Sequence, residues 1–506
     1  MKSLNFKIKR DGKIELIGLD DKDGMRIYKR GLIYIISKAF KECYDDALLT
    51  IDYQLTHAMY CTIDNIKITE QVIKKIDKKV KEIISQDLPI ERKTMNREEA
   101  KSFYEKEDTL KGKLQLELKT KKKITLYYCE NYYNYFYGVL PISTGFVTDY
   151  KISKYKDGFI VQYPHENHYM EITEFTDTPK LFNTLEEYNK VHKFLHIDTL
   201  YKLNQIIDQG KIEEHILLDE ALHEKRIATI ADTIAKNKNI RLVMIAGPSS
   251  SGKTTFAKRL ELQLKLNGLK PVTISVDDYF VERPQTPLDE NGEYDFECIE
   301  AIDTELLNNN LVKMLNGEEI KVPTFDFYEG KKVYTGKTMK LAKDEILVME
   351  GIHCLNDKLV YSIPRDQRFK IYISALTVLN IDYYNRISTT DTRLIRRIVR
   401  DHNFRGYEAE HTLERWPSVN KGETNNIFKY QEQADIMFNS SLIYELSVLK
   451  KYAVPLLKKI KPDSPLYSEA KRLYSMLGYF RTLDEDRVPS NSLLREFIGG
   501  SIFRYD

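Results

Sequence analysis

An α/β fold with a parallel sheet and flanking crossover helices, preceded by an α+β region, is what this sequence predicts, and three observations carry it. From residue 236 onward short apolar runs at 242–246, 272–276, 346–349 and 369–373 alternate with helical segments, the pattern of parallel strands joined by crossover helices. The first run leads directly into Gly247-Pro248-Ser249-Ser250-Ser251-Gly252-Lys253-Thr254 and then into a helical stretch, 255–266. That is the strand–loop–helix setting of a phosphate-binding loop. Residues 1–187 instead mix strand-like alternation, as in Phe6-Lys7-Ile8-Lys9, with helical periods over 32–44 and 73–84.

At 506 residues the chain exceeds one ordinary core, and 42% hydrophobic with 30% charged residues suits a globular protein of two or three domains. The expected partition is an α+β domain over 1–187, a helical connector over 188–235, a P-loop domain over 236–460 and a helical extension over 461–506 packed on it. The connector rests on Ile216, Leu217, Ala221, Leu222, Ile227, Ile230, Ala231 and Ile234, which recur mostly at three- and four-residue spacing. A net charge of +2 gives no general pull toward nucleic acid or anionic membranes. The lysines at 74, 75, 78 and 79 and over 119–123 read as a solvated helix face and a charged loop. Five cysteines, Cys43, Cys61, Cys129, Cys298 and Cys354, stand far apart without a CxxC pair, which argues against a disulfide framework or a thiolate zinc site and fits a reducing compartment. With no signal-peptide core and no apolar run of membrane-spanning length, the expected location is cytoplasmic, without a membrane partner.

The loop supplies the first chemistry. Gly247 and Gly252 let the backbone turn tightly around a phosphate, the N–H groups of Ser249, Ser250, Ser251 and the following helix start through Thr255 offer partial positive charge, and Lys253 reaches the outer phosphates. Thr254 offers a hydroxyl to magnesium. The cofactors this implies are ATP and Mg2+.

Asp277 and Asp278 follow the second strand directly. In an open parallel sheet the strand ends face the ligand crevice, so a carboxylate there can accept the proton of an acceptor hydroxyl or hold magnesium through water; a helix-cap or turn role is the alternative. Another strand ends at Glu350-Gly351, where an acid can complete the magnesium shell. Between 391 and 400, Arg393, Arg396, Arg397 and Arg400 fall on one helical face, with Leu394, Ile395, Ile398 and Val399 opposite. Four arginines on one face repel unless an anion lies among them, and phosphoryl transfer needs such cations over the migrating group. Arg405-Gly406 just beyond suggests a mobile lid, while an ordinary helix face paired with neighbouring acids is the other reading.

With these residues placed, 240–460 resembles the uridine kinase and phosphoribulokinase family of P-loop kinases. The matching pieces are 247–254, Ser275-Val276-Asp277-Asp278-Tyr279-Phe280, Tyr294-Asp295-Phe296, Pro323-Thr324-Phe325-Asp326-Phe327, Glu350-Gly351-Ile352 and 391–406. The resemblance implies that Asp277 is the base facing a nucleoside 5'-hydroxyl, that Asp295 grips the ribose hydroxyls with Tyr279 and Phe325 beside the substrate, and that Arg397, Arg400 and Arg405 close over the phosphates. Phe325 and Gly330 stand where uridine kinases carry a Tyr and a His that recognise the pyrimidine, and Tyr407 stands at a lid position usually basic. The base is therefore unassigned. Residues 25–200 look like the second domain of threonyl-tRNA synthetases, on Leu88-Pro89-Ile90-Glu91-Arg92 and Tyr137-Gly138-Val139-Leu140-Pro141-Ile142-Ser143-Thr144-Gly145. With Ser492-Leu493-Leu494-Arg495-Glu496-Phe497-Ile498-Gly499-Gly500-Ser501, the whole chain looks like the long bacterial nucleoside kinases that fuse such a domain to a kinase. That synthetase domain edits with His and Cys, whereas 32–39 holds no His-x-x-x-His and 132–145 holds neither residue, so editing is expected to be absent.

Two weaker signals remain. His165 with His168, and His192 with His196, have metal-compatible spacing but no partner acid or thiol at motif spacing, and read as ordinary surface or core histidines. Tyr127, Tyr128, Tyr132, Tyr133, Tyr135, Phe136 and Tyr137 could stack on RNA bases, against a default of strand packing. The expected function is an ATP-dependent kinase of the 5'-hydroxyl of a uridine- or cytidine-like ribonucleoside. A kinase of another small alcohol, or an RNA-binding P-loop ATPase, are the alternatives. RNA is the less favoured partner, and assembly as a homo-oligomer stays open.

Overall fold

In the computed structural model, which describes residues 3–8, 14–45, 47–107, 123–165, 171–288, 292–326 and 328–505, the first long element is α1 (Lys22–Cys43), started by Asp21, whose side chain accepts from the Asp23 N–H. Its apolar residues, Leu32, Ile35, Ile36 and Phe40 among them, pack with those of β1 (Leu48–Leu55), β2 (Ala58–Asp64) and α2 (Glu70–Ser85), the last capped by Thr69. Then come β3 (Glu91–Asn96), α3 (Arg97–Glu107), β4 (Lys123–Cys129), β5 (Tyr132–Asn134), β6 (Lys151–Tyr155) and β7 (Gly158–Gln162). The strands form an antiparallel sheet in the order β1-β2-β7-β6 and a second in the order β3-β4-β5. In the tyrosine-rich segment Tyr127, Tyr132, Tyr135 and Phe136 are buried, and Tyr127, Tyr128, Tyr132 and Tyr133 lie on β4 and β5. The alternation at Phe6–Lys9 yields no strand over residues 6–8, since period-two patterning needs a neighbouring strand to pair with. His168, Phe327 and the lysines at 119–122 lie outside the described residues.

Helices α4 (Pro179–Phe194), α5 (Leu200–Asp208) and α6 (Ile212–Lys236) follow. Met1–Thr178, Leu185–Gln205 and Val378–Ile387 make one compact unit, and Pro179–Thr184, Ile206–Thr377 and Ser388–Asp506 the other. The helical region expected over 188–235 is thus no independent connector. Helix α6 is built into the second unit, where Glu220 and Glu224 pair with Arg259 and Asp219 accepts from the Ile443 N–H.

The second unit is organised by β8 (Leu242–Ala246), which is followed by α7 (Lys253–Leu266), β9 (Lys270–Ser275) and α8 (Thr304–Leu315). Short hairpin strands β10 (Ile320–Lys321), β11 (Thr324–Asp326), β12 (Lys331–Val333) and β13 (Thr338–Met339) precede β14 (Glu345–Glu350) and β15 (Arg368–Ser374). The chain continues through α9 (Thr389–Arg405), α10 (Ala409–Asn426), β16 (Ile436–Asn439), α11 (Glu445–Lys458), α12 (Tyr467–Leu477) and α13 (Arg495–Ile498). The sheet runs β16-β15-β8-β14-β9, with every pair parallel. Strand β8 is buried at every position, as expected of a parallel strand covered on both faces. Residues 461–505 belong to this unit.

Candidate active site

Sheet register brings three sequence-distant segments to one edge. Glu350 pairs with Ile245 on one side and Ser275 on the other, so the loop after β8, the acid ending β14 and the aspartates after β9 open into the same crevice. The loop needs its glycines. A Cβ on Gly247 would stand 2.1 Å from the Ile373 carbonyl oxygen, and Gly252 adopts φ 86°, in the left-handed region. Lys253 Nζ donates to the Gly247 carbonyl at 2.9 Å, and the Ser249 N–H donates to Glu423 Oε1 at 2.7 Å. Lys253 and Thr254 are partly exposed, while Ser250, Ser251 and Thr255 are buried.

Glu350 and Thr254 stand together, with Thr254 Oγ1 3.5 Å from Glu350 Oε1. Glu350 Oε2 is buried and accepts no hydrogen bond from the described residues. Desolvation pushes the Glu350 carboxyl up to about 7, reinforced by Glu496 and Asp277 and opposed by Lys253. An acid held so uncomfortably beside a hydroxyl fits a magnesium ion, which takes one or two protein ligands and keeps its waters. Among the described residues no group of three or more His, Cys, Asp or Glu gathers as a self-sufficient metal cage.

The two aspartates after β9 face different neighbours. Asp277 lies in the cleft, open to solvent on one side, where desolvation raises its carboxyl while Lys253 and Arg405 act in the opposite sense. Asp278 is also raised by desolvation, but its stabilising contact is the Phe325 backbone.

The arginine face divides in two. Arg393 and Arg396 are 1% and 0% exposed, paired with Glu423 at 2.6 Å and Glu445 at 2.5 Å. Each also donates to a loop carbonyl, of Ser249 and Ser250 respectively. These two brace the loop from behind, so carboxylates of the chain itself supply the anions that the four-arginine face demands. Arg397, Arg400 and Arg405 retain exposure and converge on Asp401, itself buried, at 3.2, 2.8 and 3.5 Å; Arg397 also donates to Ser249 Oγ at 2.8 Å. Leu394, Ile395, Ile398 and Val399 are fully buried on the far side. The expected lid is therefore an embedded helix over most of its length, ending in a left-handed C-cap at Gly406 with φ 69°.

On the acceptor side the structure separates the expected residues. Tyr279 is 0% exposed and its hydroxyl accepts from Asn310 Nδ2 at 3.2 Å, which makes it core and corrects its expected place beside the substrate. Asp295 is partly buried, and its Oδ1 caps the turn by accepting from the Glu297 N–H at 3.0 Å. Glu297, absent from the sequence reading, is the carboxylate whose electrostatic neighbours include Glu423, Arg397 and Lys253; desolvation and Glu423 push it up to about 7. Phe325 is buried, with its ring 5.5 Å from that of Phe280, which lies 6.2 Å from Phe296. Gly330 has φ 71°, with Arg283 packed where a side chain would project. Of the histidines, His192 is buried and His196 exposed on the same stretch, so they share no site.

A parallel α/β sheet with this loop and these acids at the strand ends is the arrangement of a P-loop domain. Residues 242–445 match the model of the phosphoribulokinase / uridine kinase family, the region the motifs single out. A uridine kinase of Schizosaccharomyces pombe is 29% identical over 196 residues, which is 38% of this chain and 39% of that protein; the chain thus spans well under half the length of that relative. A uridine kinase of Staphylococcus haemolyticus is 28% identical over 201 residues, 39% of this chain and 87% of that protein. The solved structure described as a possible uridine kinase from Bacillus stearothermophilus aligns with 42% of this chain and 97% of its own, at 20% identity and a TM-score of 0.26.

Proposed function

We propose that this chain transfers the γ-phosphoryl group of ATP to the 5'-hydroxyl of a ribonucleoside of the uridine or cytidine kind. The observation that carries the reading is Asp277: the one strand-end carboxylate after β9 that feels both Lys253, from the phosphate loop, and Arg405, from the arginine helix. A base that must remove a proton from an acceptor hydroxyl belongs where donor phosphate and arginines meet.

In this reading Lys253 neutralises the transferring phosphates, and Arg397, Arg400 and Arg405, held in register by Asp401, meet the charge on the equatorial oxygens. Asp277 accepts the hydroxyl proton as the new O–P bond forms; the bond from the γ-phosphorus to its bridging oxygen breaks, and ADP leaves with the electron pair. Its raised proton affinity makes it a better base than an ordinary aspartate. Thr254 and Glu350 would hold magnesium, whose charge offsets that of the phosphates. The Asp295–Glu297 turn faces the acceptor, with Glu297 as the carboxylate that receives hydroxyl hydrogen bonds, and the exposed ring of Phe296, backed by the buried Phe280 and, behind it, Phe325, offers apolar surface to a flat base. The region resembling the synthetase domain takes no part in chemistry.

The test is ADP release against a panel of ribonucleosides and sugar alcohols, with and without RNA. Ribonucleoside-dependent release supports the proposal. Release driven only by sugar alcohols moves the acceptor to another small alcohol, and RNA-driven release without either replaces the kinase by a nucleic-acid-responsive ATPase.

A further inference from the structure

The first turn of α7 is unevenly accessible. Lys253 and Thr254 are partly open, but the next residue, Thr255, is 0% exposed. What covers it is the end of the chain. Glu496, on α13, accepts through one oxygen from both the Thr255 N–H at 3.1 Å and the Thr255 hydroxyl at 2.7 Å, and the Tyr505 hydroxyl lies 2.9 Å from the same Thr255 oxygen. The platform carrying Glu496 is firmly built. Leu493, Leu494 and Phe497 are 0% exposed, and Leu493 packs so closely on Gly252 that a Cβ there would stand 2.4 Å from it. Arg495 anchors the turn by donating to the carbonyls of Glu485, Val488 and Gly499.

The N–H groups at a helix start are the donors a P-loop offers to phosphate. A triphosphate with its outer phosphates at Lys253 and its metal at Thr254 runs back along this turn, so its α-phosphate comes to the Thr255 N–H and hydroxyl. A carboxylate already holds both donors, with the charge sign and acceptor geometry of a phosphate oxygen. We infer that Glu496 is an intramolecular competitor for the α-phosphate of the donor nucleotide, so that the C-terminal segment sets how much nucleotide is needed to load the site. The inference rests on the nucleotide reading of the P-loop given above. Loading requires that the Glu496 side chain rotate off Thr255, which frees the Thr255 N–H and leaves Tyr505 beside its hydroxyl, and the apparent affinity is lowered by the fraction of molecules in which Glu496 holds Thr255.

The experiment is calorimetric binding of ATP and of pyrophosphate to the full chain, to Glu496→Gln, to Glu496→Asp and to Lys253→Ala. Gln removes the charge that competes with phosphate, and Asp keeps it on a side chain too short to reach Thr255. Pyrophosphate spans only the outer positions and serves as the internal control. Both Glu496 variants should bind ATP about tenfold or more tightly than the parent, the size expected for releasing a charge-assisted hydrogen bond, with pyrophosphate affinity moving less than about twofold. Unchanged or weaker ATP binding in both overturns the inference, as does an equal gain for ATP and pyrophosphate, which would reduce Glu496 to a diffuse negative charge. Lys253→Ala separates the two levels: if it binds ATP like the parent, the nucleotide reading fails as well; if it loses ATP while the Glu496 variants gain nothing, only the competitor is lost.

Discussion

Two buried polar clusters in this chain are built on opposite plans. In the first unit, Tyr34 donates to the carbonyls of Tyr127 and Tyr132, the hydroxyls of Ser37 and Tyr132 meet at 2.5 Å, and Asn134 donates to Tyr132 while accepting from the Tyr135 N–H. The cluster is neutral, with burial pushing the Tyr34 hydroxyl far above its ordinary range. Around the phosphate loop, by contrast, Glu350 Oε2, Glu423 Oε2, Ser250 Oγ and Ser251 Oγ have no hydrogen-bond partner among the described residues, and Glu297 and Glu350 are both pushed up to about 7. An unmet buried polar atom costs about 1–3 kcal/mol. A satisfied network stabilises a fold; an unsatisfied one marks where something else must complete it.

The sharpest way to break that contrast is at Asp277. Asp277→Asn should lower kcat by about 10²- to 10⁴-fold with little change in ATP affinity, while Asp278→Asn, whose contact is the Phe325 backbone, should lower it far less. Steady-state kinetics on both variants decides, and the reverse ranking would move the base to Asp278.

A smaller effect is expected on the acceptor side. If Glu297 receives the ribose hydroxyls, the parent should prefer ribonucleosides over 2'-deoxy analogues by about 5- to 150-fold in kcat/KM. Glu297→Gln should shrink that ratio and Asp295→Asn, as a turn variant, should leave it alone; a ratio sensitive only to Asp295 would restore the assignment made from the sequence.

The strain at Glu350 should be visible without catalysis. Its folded-state value of about 7 lies above the ordinary 4.5, so between these values the folded state holds the proton more tightly, and stability falls as pH rises through that window. Glu350→Gln has no such proton. In magnesium-free buffer its unfolding free energy, read from thermal melts, should therefore gain on the parent from about pH 5 to about pH 8 by an amount on the order of 1–2 kcal/mol, and magnesium should stabilise only the parent. A difference that ignores pH would show that Glu350 is not strained.

The least effect on turnover belongs to the satisfied cluster. Tyr132→Phe strips a hydroxyl that serves Ser37 and Asn134 and should cost about 1–3 kcal/mol of stability, with kcat and KM unchanged below the melting range. Altered kinetics in a fully folded variant would tie this cluster to the reaction.

The sequence was most legible where chemistry is local. The run at 242–246 is β8 to the residue, and the phosphate loop could be read because strand, glycines, lysine and helix are contiguous. The periodicity of 391–400 showed that four arginines share a face but not which carboxylates answer them, since Glu423 and Glu445 lie 30 and 49 positions beyond their partners. Asp295 and Glu297 lie two positions apart on one turn, and only three-dimensional neighbours reveal that the Glu297 carboxyl lies in the field of Lys253 and Arg397. In the sequence Glu496 is one residue of a family-like tail, and nothing in its surroundings points to Thr255, 241 residues away.

The ten residues Val378–Ile387 leave the second unit after β15, join the first, and return at Ser388 to begin the arginine helix. There the Ile51 N–H donates to the Tyr383 carbonyl at 2.8 Å and Asn380 donates to the Ile51 carbonyl at 2.9 Å. Neither unit is therefore a single stretch of chain, and the order of biosynthesis acquires a constraint. When the ribosome has finished Gln205 the first unit still lacks its last piece, which is made about 180 residues later, a delay of about 10–40 s at ordinary elongation rates. Over that interval β1 has no Tyr383 or Asn380 to pair with. Nascent chains arrested before residue 378 should accordingly be more readily cut by protease in the N-terminal third than chains arrested after it has emerged from the exit tunnel.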